Sequence, residues 1–206
     1  MKVVILNGSP RKFGNSDLFI AEMVQVFQDK GVETEVIRIG GQGIRGCLAC
    51  GYCAKNKGCV IDDLVNQVGP KVAEASGLVV VSPVYFASPN GDLISFLDRL
   101  FHSHQFDGRM KVGASFAIAR RGGTETTFDV LNKYFTISGM PVVSGDYWNN
   151  GFAGAKGEIA QDEEGLRNAR IVAKRMSFLM KAIEDEKEKD PSILEDEARA
   201  WTNFIR

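Results

Sequence analysis

The 206-residue chain carries 25 Lys and Arg against 26 Asp and Glu, a formal net charge of −1, with 44% hydrophobic and 25% charged residues. A chain this apolar is not intrinsically disordered, and its charge balance argues against nucleic-acid binding through a basic surface. The length suits one domain with a full-sized core, and no apolar run reaches the ~18–20 residues of a membrane helix. Residues 3–6 form an unbroken β-branched and aliphatic run, the pattern of a strand buried on both faces. A Gly/Ser/Pro/Asn loop follows over 8–15. Residues 16–30 read as a helix, with Leu18, Phe19, Met23, Val26 and Phe27 three or four apart, and 33–39 as a second strand. Residues 40–60 lose periodicity and hold every cysteine. Residues 62–75 read as a helix capped by Asp62 or Asp63, with Pro70 predicting a kink or break. A third strand is expected at 78–81, a loop at 83–91, a helix at 92–102, a fourth strand at 112–119, a glycine loop at 122–123 and a helix at 124–137. A short fifth strand is expected at 140–143, a polar, aromatic loop at 145–157 and a last helix at 161–188. Beyond Pro191, the residues Ile193, Leu194, Ala198, Trp201 and Phe204 have helical spacing. That fits a short helix packed on the body, or an arm packed on a second subunit.

Alternating strands and helices imply an α/β fold with a parallel sheet and helices on both faces. Five strands favour the flavodoxin-like three-layer sandwich of order 2-1-3-4-5, whose ligands bind at the carboxyl ends of the strands. The loops after strands one, three and four should therefore converge on one crevice. Residues 1–188 form this domain, with the cysteine-rich loop at 40–60, and residues 189–206 form a tail expected to be helical.

The loop Gly8-Ser9-Pro10-Arg11-Lys12-Phe13-Gly14-Asn15-Ser16 suits an anion. It offers hydroxyls, two cations, glycines that let backbone N–H groups turn inward, and a helix N-terminus. It matches neither GxxxxGK[ST] nor GxGxxG. Strand-Gly-Ser-Pro-Arg-x-x-Gly-Asn-Ser-helix resembles the NADPH-dependent FMN reductase group, over about residues 1–185. The resemblance implies that Ser9, Arg11, Asn15 and Ser16 contact the FMN phosphate. It also implies that the segment from Pro83 through Val84, Tyr85, Phe86, Ala87 and Asn90 lines the isoalloxazine. Tyr85 and Phe86 independently suit the platform that a flat apolar ring needs. Gly122 and Gly123 permit close approach to a ligand, and Arg120 could face FMN or a nicotinamide phosphate. Tyr147 and Trp148 either cap the flavin or pack in the core.

Cys47, Cys50, Cys53 and Cys59 follow the pattern C-x2-C-x2-C-x5-C. Four soft thiolates at this spacing can bind an iron–sulfur cluster, whereas structural zinc usually takes two separated pairs. Redox-active or simply reduced thiols are the alternative. The arrangement resembles that of the iron–sulfur flavoproteins, which implies a 4Fe–4S cluster near the flavin. His102 and His104 are two apart and do not share a helix face, and no hydrolase constellation is present. The reading is an FMN oxidoreductase passing electrons between NAD(P)H or a ferredoxin-like donor and a small acceptor. A cluster-free FMN or quinone reductase and a non-catalytic electron carrier or redox sensor are the alternatives. The first apolar run is too short for a signal peptide, so a cytoplasmic protein is expected, with no nucleic-acid or membrane partner. The cysteine loop and the apolar tail need covering surfaces, which together with the resemblance implies a homodimer or homotetramer.

Overall fold

The computed structural model describes residues 1–195, 197, 198, 200 and 202. Strands β1 (Lys2–Asn7), β2 (Glu33–Arg38), β3 (Gly77–Pro83), β4 (Val112–Ala119) and β5 (Asn150–Phe152) form one parallel sheet in the order β2-β1-β3-β4-β5. Helices α1 (Asn15–Asp29), α2 (Leu64–Glu74), α3 (Gly91–Ser103), α4 (Thr124–Ile137) and α5 (Glu163–Lys189) cover its two faces. The expected flavodoxin-like sandwich is present.

Successive strand residues point to opposite faces, so each inner strand feeds two cores. Val3, Ile5, Val79, Val81, Phe116 and Ile118 pack with Phe19 and Met23 of α1 and Val172 and Met176 of α5. Val4, Leu6, Leu78 and Val80 pack with Val68 and Val72 of α2, Phe96 and Leu100 of α3 and Phe135 of α4. Burying one such side chain stabilises the fold by about 1.5–3 kcal/mol. A run that must satisfy both cores has no polar alternation, which is why 3–6 and 78–81 read as continuous apolar segments. Among the described residues, no helix is long and apolar enough to cross a membrane.

Two expectations need correction, and a third is narrowed, since no break occurs at Pro70. Pro70 lies inside α2, which continues to Glu74. Gly69 precedes it, and without a Cβ it removes one of the clashes that keep a residue before proline out of the helical region. The fifth strand is not at 140–143. Val142 makes only an isolated bridge to Gly113, because Pro141 contributes a carbonyl (2.9 Å to the Gly113 N–H) but no N–H. The chain leaves the edge near Ser144 and returns at Asn150, where β5 pairs with Ala117–Ala119. The fifth strand is thus split, and residues 144–149 form a loop between its two pieces.

The tail also differs. Pro191–Leu194 makes one 3-10 turn, and the Leu194 carbonyl accepts from Arg109 Nη1 at 2.7 Å. Ala198 lies in no helix, and Trp201 and Phe204 lie outside the described residues.

Candidate functional site

The loop after β1 is held from three sides. The Gly8 N–H donates to Val81 O of β3 (2.8 Å). Asn7 accepts from the Ser9 N–H (2.9 Å) and donates to Asp17 Oδ1 (2.7 Å). Gly40, just past β2, lies so close that a Cβ there would run into Gly8 O. Ser9 and Ser16 are buried. Ser9 Oγ accepts from the Arg11 N–H (3.3 Å) and keeps its own hydrogen to donate. Gly14 caps α1, so the N–H groups of Asn15 and Ser16 open the helix without intrahelical acceptors. The positive end of the helix dipole lies there, and Arg11 and Lys12 are exposed on the rim.

Asn15 has its side chain engaged within the protein. Its amide accepts from Gly157 N–H (2.8 Å) and donates to Ala155 O (2.9 Å). Its side chain therefore fastens the loop after β5, and its backbone N–H remains for the anion. Arg38 was not foreseen. Its guanidinium donates to Ser9 O (2.6 Å), Arg11 O (3.3 Å) and Asp17 Oδ1 (2.6 Å). It fixes the loop and offsets the acidic residue in the first turn of α1, which would otherwise repel an anion. Only the tertiary fold brings Arg38 here.

The loop after β3 begins with the Val84 N–H donating to Ile118 O (2.9 Å). Tyr85 and Ser88 then exchange two hydrogen bonds (2.8 and 3.0 Å) around Phe86 and Ala87, whose φ angles are +51° and +56°. A pair of positive φ angles is a type I′ feature, normally filled by Gly, Asn or Asp. An L-residue there costs roughly 1–3 kcal/mol. The Phe86 side chain at this turn is fully in solvent. The loop after β4 supports the turn. Thr126 Oγ1 donates to Ala87 O (2.8 Å), and a Cβ on Gly123 (φ +87°) would sit 2.7 Å from Ala87 Cα. Gly122 and Arg120 are exposed beside it. Pro83 ends β3, and Asn90 caps α3 by accepting the Leu93 N–H (3.2 Å). Asn90 thus shapes the loop through its carbonyl oxygen. Tyr147 and Trp148 lie against each other with centroids 5.2 Å apart and planes tilted by 59°, and they are 60% and 52% exposed, so neither is a core residue.

The cysteine loop rests on α3. Asp92 accepts from the N–H groups of Gly41 (2.8 Å), Gly43 (3.4 Å) and Ile44 (3.1 Å). The Gly58 N–H donates to Ser103 O (3.2 Å). Cys47, Cys50, Cys53 and Cys59 line one pocket with Arg99, His102 and Ser103, and all four are free thiols. The backbone turns sharply through positive φ at Ala49, Gly51 and Gly58. The Ala49 N–H reaches Cys47 Sγ (3.4 Å), and Arg99 Nε–H reaches Cys59 Sγ (3.3 Å). Four soft donors in one pocket, two of them already accepting N–H groups, fit an iron–sulfur cluster in number and kind. Among the described residues, no three His, Cys, Asp or Glu side chains stand at single-ion spacing.

Burial opposes the Arg99 charge, but its hydrogen bonds to Asp63 and Cys59 outweigh that and raise its pKa. Burial pushes His104 below the ordinary imidazole value, and the Arg99 charge adds to this. His104 packs so tightly on α2 that a Cβ on Gly69 would collide with its ring. Native His104 holds its proton less readily than the unfolded chain does. Stability should therefore fall as pH drops from about 6.5 through the lowered native value. Urea midpoints at about pH 7.5 and 5.5 should show this slope in the native protein and a flatter one in His104→Gln. An unchanged slope would assign it to other groups.

Known proteins resemble this chain in sequence and in fold. Residues 1–155 match the family described as NADPH-dependent FMN reductase. An iron–sulfur flavoprotein of Methanocaldococcus jannaschii is 34% identical, over 89% of this chain and 99% of its own length. One from Methanosarcina thermophila is 31% identical, over 92% and 100%. The structure of RosB with bound 8-demethyl-8-formylriboflavin 5′-phosphate superposes with a TM-score of 0.66 at 17% identity, covering 100% of this chain and 91% of that one. The fold match, the matched residues and the iron–sulfur flavoprotein relatives together place this chain in the NADPH-dependent FMN reductase family.

Proposed function

We propose that the chain is an FMN-dependent oxidoreductase that passes electrons between NAD(P)H or a ferredoxin-like donor and a small acceptor. The observation that carries this reading is one helix, α3, serving two sites. Its N-cap closes the loop after β3, and its body supports the four-cysteine pocket. FMN, when bound, supplies hydride and one-electron chemistry. Ser9, Arg11, Ser16 and the Asn15 N–H hold its phosphate. Pro83, Val84, Tyr85, Phe86 and Ala87 line its ring, with Asn90 shaping the turn and Arg120, Gly122 and Gly123 forming the neighbouring wall. Cys47, Cys50, Cys53 and Cys59 hold a 4Fe–4S cluster, which adds a one-electron site. The exposed rings of Phe13 and Phe86 suit cover by a second copy, a homodimer or homotetramer, in a reducing cytoplasm. A second reading, a cluster-free reductase, is favoured by the exposure of Cys47 and Cys50.

Anaerobic purification tests the proposal. The expected result is FMN together with about four irons per chain and broad absorbance near 400 nm. Flavin without iron favours the second reading. Oxidation of NADH or NADPH with a quinone acceptor separates an enzyme from a carrier. Arg11→Ala should weaken FMN binding by roughly 1.5–3 kcal/mol, about 10- to 150-fold, through loss of a charge-assisted phosphate contact. Fluorescence titration of the flavin-free protein measures this, and unchanged affinity would move the phosphate elsewhere.

A further inference from the structure

Arg99 is among the largest side chains to be wholly buried, and its partner Asp63 is 27% exposed. A guanidinium has five N–H donors in a fixed fork, and here each has an acceptor. Two meet the Asp63 carboxylate (2.7 and 2.9 Å), and two meet the carbonyls of Arg45 (3.1 Å) and Ile61 (3.0 Å). The fifth, on Nε, meets Cys59 Sγ (3.3 Å). Arg99 and Asp92 lie seven residues apart on α3, so they share a face. Asp92 holds the start of the cysteine loop, and Arg99 holds its end. The Asp63 pair offsets the formal charge of Arg99, leaving a directed N–H at the fourth cysteine. Lysine has three donors on one flexible ammonium and cannot reproduce this fork.

We propose that Arg99 is a positioning residue that aims Cys59 into the metal pocket and raises the reduction potential of the 4Fe–4S cluster, an inference that rests on the cluster reading above. A hydrogen bond to a ligating sulfur favours the more negative, reduced state, so losing it lowers the potential.

The test uses the full chain, purified anaerobically and reconstituted with iron and sulfide. Two variants are compared, Arg99→Lys and Arg99→Gln combined with Asp63→Asn, the second leaving no buried charge unpaired. Redox titration with dithionite as one-electron reductant, followed by electron paramagnetic resonance, gives the cluster midpoint. In variants that keep FMN and iron, the expected result is a lower midpoint, about a tenfold change in the oxidised-to-reduced equilibrium, or about 59 mV for a one-electron couple. Variants that keep FMN but lose iron also support the positioning role. Full iron with an unchanged midpoint overturns the inference while leaving the cluster reading intact. Joint loss of iron and FMN shows a general folding role and overturns it too. A native chain that takes up no iron overturns the cluster reading, and this inference with it.

Discussion

Cys50→Ser is expected to remove nearly all iron from the anaerobically purified protein while leaving its FMN in place. The loss should be large because serine offers a hard oxygen with little affinity for an iron–sulfur cluster, and three thiolates leave a cubane open. Cys50 is exposed, so the substitution itself should alter stability by only about ±0.5 kcal/mol. The flavin should stay, because the anion loop is fixed by Asn7, Arg38 and Val81 and not by the cysteines. Iron analysis, absorbance near 400 nm and flavin content on one sample check all three points. Iron at the native level in Cys50→Ser would show that this thiol is not a ligand.

Gly40→Ala should abolish or severely weaken flavin binding by a different route. The added methyl has nowhere to go, because it meets the backbone of Gly8 and Ser9 and no flexible side chain. Overpacking of this kind typically costs about 1–3 kcal/mol, and here the relief available is to push the anion loop away from β2. Arg38 would then lose its hold on Ser9 O. Gly46→Ala is the matched control in the same loop, since a Cβ there meets nothing within 4 Å. Thermal melting and FMN titration of the two variants should separate sharply. Equal behaviour would mean that the end of β2 and the anion loop are not in contact.

Much of this was legible in the sequence because the signals are local. The apolar runs at 3–6 and 78–81 reflect strands that feed two cores, and the helix at 124–137 was bounded by a glycine pair and a clear period. The anion loop and the cysteines were readable because their residues are contiguous. Residues that act across the fold were not. Arg38 reaches 29 residues back to Ser9, and Arg99 reaches 54 residues back to Arg45. Neither has a spacing that announces its role. Asn15 and Asn90 were recognised as important, but the Asn15 amide and the Asn90 carbonyl oxygen are engaged in building loops, a use that no local spacing announces. The fifth strand was misplaced because Asn150-Gly151-Phe152 has no apolar period, while the residues around Pro141 do.

The split fifth strand bears on how this protein can assemble. An open sheet edge usually offers a row of free N–H groups to a neighbouring chain. Here the Asn150 N–H is spent on Trp148 O (2.7 Å) and the Phe152 N–H on Asp162 Oδ2 (2.7 Å). The opposite edge, β2, carries Glu33 and Glu35 against Lys2 and Lys71. The β5 margin is therefore closed to a sixth strand at Asn150 and Phe152, while at β2 charged side chains, rather than spent N–H groups, guard the edge.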